Sequence, residues 1–340
     1  MSEEDEILES LKGLRDQILN SLERYWIFSV PYSLGEVAIV AAFSRAFKLT
    51  HGGNLALLVD PAKLGVLQMF SDYLDGAIQV PIRILRELRT RGLLGPETFK
   101  PGVIQDVYVL HDAKLDLLAL SELRGQRPDR GLPLMDLFRF AMRLPWDASV
   151  QLGRPGPEAV EQANRISREV GIEPGNSVIL FLGNNTNRPA PSAFWRRVAS
   201  EAMNRGKRVF INISGAAFLP EDLNIPGTRI ELTDVPTAIA VCDIAGQMVA
   251  GSNGFVATSL LTATTFGLDV ILTDSFDPTG TGQGFRPMHP QAGSLFKHAP
   301  ELLEGASRPY REWEVTDAAE MDAVALRLVD AWRTSGAPSE

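Results

Sequence analysis

Thr233–Asp274 reads TDVPTAIAVCDIAGQMVAGSNGFVATSLLTATTFGLDVILTD, and its rhythm decides the fold class. Val235–Cys242 is predicted as a helix, Met248–Ala250 as a strand, Phe255–Phe266 as a helix and Val270–Thr273 as a strand. The small turn Gly251-Ser-Asn-Gly254 joins the first strand to the second helix. Helix and strand in alternation imply parallel strands with crossover helices, the α/β class.

The same rhythm extends upstream. Glu158–Val170 is a predicted helix, Ser177–Leu182 a strand, Ala193–Arg205 a helix, Arg208–Ile213 a strand and Arg229–Leu232 a short strand. Downstream, Thr316–Arg333 forms a long terminal helix. The first half repeats the pattern, with strands at Tyr25–Val30, Asn54–Asp60, Ala77–Leu85 and Val103–Leu110. Its helices are Glu36–Phe47, Ala62–Tyr73 and Leu132–Leu144. Leu55–Val59 is continuously apolar, as befits a strand covered on both faces. Pro145–Pro157, PWDASVQLGRPGP, is the best linker in the chain. Two domains follow, 1–150 and 151–340, with a ligand cleft expected between them beyond the carboxyl ends of the strands. Residues 5–24 form an amphipathic leader helix through Ile7, Leu8, Leu11, Leu14, Ile18, Leu19 and Leu22.

A length of 340 residues suits two domains, each with its own core. The formal charge of −9 argues against broad binding to a phosphate backbone. The single cysteine, Cys242, excludes a disulfide framework and a Cys-cluster zinc site, and its apolar setting makes it a core residue. The acidic start Met1-Ser-Glu-Glu-Asp-Glu differs from a secretory signal, and no apolar run approaches the roughly 20 residues of a membrane span. A cytoplasmic location without a stable membrane span is expected.

Chemistry is sought in the loops that follow predicted strands. Val30-Pro-Tyr-Ser-Leu-Gly-Glu36 puts Tyr32 and Ser33 near a helix start and Glu36 in the first helical turn. A carboxylate there serves as a general base toward an acceptor hydroxyl, or simply complements the helix dipole. Gly183-Asn-Asn-Thr-Asn-Arg188 offers Asn184, Asn185 and Arg188 to phosphate and sugar oxygens, or is an Asn-rich turn. Ser252, Asn253 and Gly254 are small enough for backbone N–H groups to approach a diphosphate. Asp274–Gly284 lacks the G-x-G-x-x-G spacing, so no nicotinamide cofactor is expected. His51, His111, His289 and His298 do not fall in zinc spacings, and no Walker A sequence or G-x-S-x-G elbow is present. No two aspartates stand in D-x-D spacing, which favours a metal-independent mechanism with no bound cofactor.

The order of these loops carries a resemblance. Trp26-Ile-Phe-Ser-Val-Pro-Tyr-Ser-Leu-Gly-Glu-Val37 resembles the opening of the ADP-heptose:lipopolysaccharide heptosyltransferases, glycosyltransferase family 9, in which S-L-G-D follows a buried strand. Asp-Val-Pro-Thr237, Ala250-Gly-Ser-Asn-Gly254 and Gly267-Leu-Asp-Val-Ile-Leu272 are similar to that family's donor half, and Phe276-Asp-Pro278 to its G-P-T-D-P loop. The similarity runs from about Tyr25 to Phe285. It implies the GT-B fold, two Rossmann-like domains with parallel sheets facing an interdomain cleft, and a terminal helix crossing back onto the first domain. By resemblance Glu36 takes the place of the catalytic aspartate and Arg188 that of a donor-phosphate cation. Asp234, Ser252, Asn253 and Gly254 fall on the donor side, and Tyr32, Ser33, His111 and Asp112 on the acceptor side. The chain departs from the family in several places. Glu replaces Asp at 36, Ser-Asn-Gly replaces Asp-Ser/Thr-Gly, Ala257 replaces a histidine, and Leu182-Gly183-Asn184 replaces H-P-G. The donor sugar is therefore left open.

The expected activity is transfer of a sugar from a nucleotide-sugar donor to an acceptor hydroxyl, inverting by resemblance. The acceptor is a saccharide, lipid-linked glycan, protein, small molecule or modified nucleic acid. A nucleotide-sugar epimerase or hydrolase on the same fold, and a non-catalytic sugar- or partner-binding relative, are the alternatives. The basic run Arg83-Ile-Leu-Arg-Glu-Leu-Arg-Thr-Arg91 is read as a solvated helix face rather than an acceptor site.

Overall fold

Apolar runs too short for helices are buried here as parallel strands. The computed structural model describes residues 25–29, 34–70, 74–84, 104–109, 134–183, 188–214, 224–276, 286–287, 294, 308–317 and 319–332. The chain parts into two compact units at Gly153 and Arg154. Among the described residues, no helix is long and apolar enough to cross a membrane. The leader segment 5–24 lies outside the described residues.

The first unit holds β1 (Tyr25–Ser29), α1 (Leu34–Ala42), α2 (Ser44–His51), β2 (Asn54–Val59), α3 (Leu64–Gln68), β3 (Gly76–Gln79), β4 (Ile104–Val109) and α4 (Leu134–Ala141). Its strands lie parallel in the order β3-β2-β1-β4, with Ile27 opposite Ala56 and Val107. Leu55–Val59 is buried throughout, as a strand covered on both faces requires. Helix α1 buries Gly35 and Val37–Ala42 and packs against α3 and α4. The expected single helix Glu36–Phe47 is interrupted at Phe43. The Ser44 hydroxyl donates to the Ala41 carbonyl at 2.6 Å, taking an acceptor that the helical ladder would use. Asp75 ties α2 to β2, pairing with Lys48 Nζ at 2.7 Å and accepting from the Leu55 N–H at 2.7 Å.

The second unit runs α5 (Pro157–Val170), β5 (Ser177–Phe181), α6 (Ser192–Asn204), β6 (Arg208–Asn212), β7 (Thr228–Ile230), α7 (Val235–Ala245), β8 (Gln247–Gly251), α8 (Gly254–Leu260) and β9 (Gly267–Leu272). The short strands β10 (Ser275–Phe276) and β11 (Arg286–Pro287) pair antiparallel, and β12 (Tyr310–Glu314) and α9 (Met321–Asp330) follow. The main sheet is parallel in the order β12-β9-β8-β5-β6-β7. One face, through Val178, Leu180, Val209, Ile211, Val249 and Ile271, packs on α6 and α9. Helices α5 and α7 pack on each other, and α7 also lies on β5 and β8. Cys242 is fully buried in α7, and burial, with the neighbouring Asp243 charge, pushes its thiol pKa up.

Three differences from the sequence expectations have physical causes. Tyr310–Glu314 is a strand that alternation of charged and aromatic residues concealed; it closes the sheet edge beside β9. The terminal helix is confined to Met321–Asp330, shorter than the expected Thr316–Arg333, and packs its Val324, Ala325, Leu328 and Val329 against α6 of its own unit. Helix α8 ends at Leu260, six residues before the expected stop at Phe266. There the Arg308 guanidinium, itself only 7% exposed, donates to the carbonyls of Ser259 at 2.9 Å and Leu260 at 2.7 Å and to Thr264 Oγ1 at 2.8 Å. A cation on the last carbonyls complements the negative end of the helix dipole and caps groups that water cannot reach.

Burial lowers the Arg308 pKa to about 10, with the Asp243 charge acting the other way, and the side chain stays protonated near neutrality. Arg308→Met keeps the bulk and removes every donor. The expected loss is on the order of 1–3 kcal/mol of stability, from buried carbonyls left without partners. Chemical denaturation checks it, and an unchanged midpoint would assign the cap to another group.

Candidate functional site

Strand order places the candidate residues. In the first sheet, β2 and β3 follow β1 on one side while β4 returns to the other, so the chain reverses its winding between β1 and β4. In the second, β6 and β7 lie on one side of β5 and β8 and β9 on the other, so the reversal falls between β5 and β8. At such points the loops leaving two neighbouring strands part, opening a crevice at their carboxyl ends where ligands of open α/β sheets bind.

Glu36 stands at the reversal in the first unit. It lies in the first turn of α1, which follows β1, and is partly exposed on a helix otherwise buried from Val37 to Ala42. The register of a buried helix therefore presents this carboxylate at its amino end. Tyr32, Ser33, His111 and Asp112, the other acceptor-side candidates, lie outside the described residues.

The reversal of the second sheet is flanked by described residues of the two segments expected on the donor side. Gly183 and Arg188 follow β5, and Ser252, Asn253 and Gly254 follow β8. Asn253 joins them. Its Nδ2 donates to the Gly183 carbonyl at 3.2 Å, while its Oδ1 accepts from the N–H groups of Phe255 at 2.9 Å and Val256 at 3.1 Å. The Phe255 ring stacks on Phe181 of β5 at 4.6 Å between centroids. Arg188 is exposed, and its carbonyl accepts from Thr273 Oγ1 at 2.8 Å. Asn184 and Asn185 lie outside the described residues.

Two of the donor-side candidates have side chains engaged at helix starts. Asn253 is a cap and a bridge between loops, its side chain holding the turn through the N–H groups of Phe255 and Val256 and the Gly183 carbonyl. Asp234 is likewise committed: its carboxylate accepts from Thr237 N–H at 3.0 Å and Oγ1 at 2.6 Å, capping α7 after the edge strand β7. Gly254 opens helix α8 and is not among the glycines of positive φ, so its backbone conformation is open to other residues. Among the described residues, no three His, Cys, Asp or Glu side chains lie close enough together to hold a metal ion.

Sequence reasoning missed two polar residues at this edge. Asn212, only 6% exposed at the end of β6, accepts on Oδ1 from the Leu232 N–H at 3.0 Å and the Ser214 N–H at 3.2 Å. Thr273 was read only as the last residue of a strand. A polar residue closing an apolar run was the available signal in both cases.

No protein-family model matches the sequence, and no curated protein matches it. Solved structures do. The GT-B glycosyltransferase architecture, two parallel α/β units, is the fold of this chain. A glycosyl transferase family 9 protein from Veillonella parvula superposes with a TM-score of 0.56 at 12% identity, over 85% of this chain and 86% of that one. E. coli ADP-heptose lps heptosyltransferase II gives 0.54 at 12% identity, over 92% and 98%. E. coli heptosyltransferase WaaC with ADP gives 0.50 at 10% identity, over 92% and 100%.

Proposed function

We propose that the protein is a glycosyltransferase that moves a sugar from a nucleotide-sugar donor to an acceptor hydroxyl. One observation carries this reading: Gly183 after β5 and Ser252–Gly254 after β8, joined through Asn253, stand at the winding reversal of a parallel sheet, in a chain whose fold is that of GT-B glycosyltransferases. In the proposed reaction Glu36 takes the acceptor proton and the acceptor oxygen bonds to the anomeric carbon. The bond from that carbon to the diphosphate oxygen breaks, and a nucleoside diphosphate leaves. Direct displacement inverts the anomeric centre. With no D-x-D pair in the sequence, the negative charge of the leaving group is assigned to Arg188 and to the backbone around Gly254. The protein works without a bound cofactor in this scheme, and a cytoplasmic location suits a nucleotide-sugar donor.

The test begins with a thermal-shift screen of nucleotide sugars, since a ligand of the native state raises the melting temperature. Products are then analysed with donor alone and with acceptor saccharides. Turnover of donor alone would favour an epimerase or hydrolase, and binding without turnover under every acceptor a non-catalytic relative. No stabilisation by any nucleotide sugar would reject the donor site. Arg188→Ala is expected to weaken donor binding by about 10–100-fold, the value of one charge-assisted hydrogen bond. Gly254→Leu should also weaken it by crowding the turn, with no backbone strain to confuse the result, because this glycine does not have positive φ. Calorimetry showing wild-type affinity in both variants would place the phosphates elsewhere.

A further inference from the structure

Two ties hold the chain on either side of the loop after β5, and they come from two different strands. Asn253, after β8, holds the Gly183 carbonyl at 3.2 Å. Thr273, after β9, holds the Arg188 carbonyl through its hydroxyl at 2.8 Å. Strand β9 is a firm anchor: Gly267–Leu272 is buried throughout and paired on both sides, with β8 and β12. Residue 273 continues directly from it. Beyond the tie, the Arg188 side chain itself is exposed.

We infer that Thr273 is a positioning residue for the donor, fixing the backbone of Arg188 so that its guanidinium is presented beside the Ser252–Gly254 turn. The inference rests on the donor-binding role proposed for Arg188 and adds the residue that places it. The physical ground is entropic. A long exposed cation loses freedom when it meets a phosphate, and a backbone already held in place leaves less to lose. Thr273 does not touch the donor in this scheme. Its effect passes entirely through Arg188, which distinguishes it from a threonine that merely stabilises a loop.

A double-mutant cycle tests this, with ADP and UDP as separate calorimetric probes. Thr273→Val keeps the shape and deletes the donor hydroxyl; Thr273→Ser restores it. In the wild-type background Thr273→Val is expected to weaken binding of the nucleotide that the protein accepts by about 3–10-fold, the scale of a single hydrogen bond. Thr273→Ser should lie within about twofold of wild type by the same scale. In the Arg188→Ala background Thr273→Val should cost nothing further, since coupled residues are not additive. With a donor sugar, KM should rise in Thr273→Val while kcat holds. Unchanged affinity in Thr273→Val, or an equal loss in both backgrounds, overturns the positioning role while leaving donor binding intact. Arg188→Ala binding as tightly as wild type overturns it too, because the group being positioned then has no part. If wild-type protein binds neither nucleotide, the donor-binding reading itself falls and this inference with it.

Discussion

Glu36→Gln is expected to lower kcat by about 10²–10⁴-fold, the usual span for losing a general base, with donor affinity and melting temperature close to wild type. The amide has the shape of the carboxylate and cannot take the acceptor's proton. Glu36 is partly exposed at the amino end of α1, whose remaining positions from Val37 to Ala42 are buried, so the helix has no room to shift the residue elsewhere. Glu36→Asp withdraws the carboxylate by about one methylene and should retain part of the activity, since small displacements of a reacting group are costly without being absolute. A glutamate that only complements the helix dipole behaves differently. Its replacement by Gln would cost about 0.3–1 kcal/mol of stability and leave turnover alone. Steady-state kinetics beside a melting curve separates the two. Near-wild-type kcat would end the assignment and pass the role to His111 or Asp112, which lie outside the described residues.

Asp269→Asn is expected to destabilise the second unit by about 3–5 kcal/mol, as removal of one member of a buried ion pair does. Asp269 is fully buried within β9. Its Oδ1 accepts from Arg311 Nε at 2.8 Å and Trp313 Nε1 at 2.7 Å, and its Oδ2 from Gln247 Nε2 at 2.6 Å and Trp332 Nε1 at 2.7 Å. One carboxylate thereby ties β8, β9, β12 and the residues after α9. The amide of Asn would turn an N–H toward two of these donors and remove the negative charge beside Arg311. Calorimetric unfolding should show the transition of this unit moved down by roughly 10 °C, at 2–4 °C for each kcal/mol in a unit of this size. A change within about 0.5 kcal/mol, the range of ordinary surface substitutions, would show that the cluster is decorative.

Residues whose partners are near in sequence were legible. Leu55–Val59 is apolar at every position and is buried at every position, because a strand covered on both faces leaves no polar side. Asp269 was legible only as an anomaly, a lone acid in the apolar run Gly267–Leu272. A buried charge requires partners, and here they are 22, 42, 44 and 63 positions away, beyond any local pattern. Tyr310–Glu314 stayed hidden for the same reason, since its Arg311 and Trp313 look solvent-directed until the carboxylate they face is known.

The candidate site divides along similar lines. Its loops were visible in the sequence as small or polar residues following apolar strands, and Glu36 as an acid at a helix start. What Asn253 does with its side chain was not visible, because Gly183 is 70 positions away and the two meet only when β5 and β8 lie side by side. Thr273 and Arg188 are 85 positions apart and meet because β8 alone lies between β9 and β5 in the sheet. Helical and strand periodicity, turn chemistry and the alternation of elements are properties of neighbouring residues, so the chain carries them before it folds. Which strands adjoin, where the winding reverses and which distant polar groups pair are set by burial and sheet pairing across long separations, and these came only with the tertiary structure.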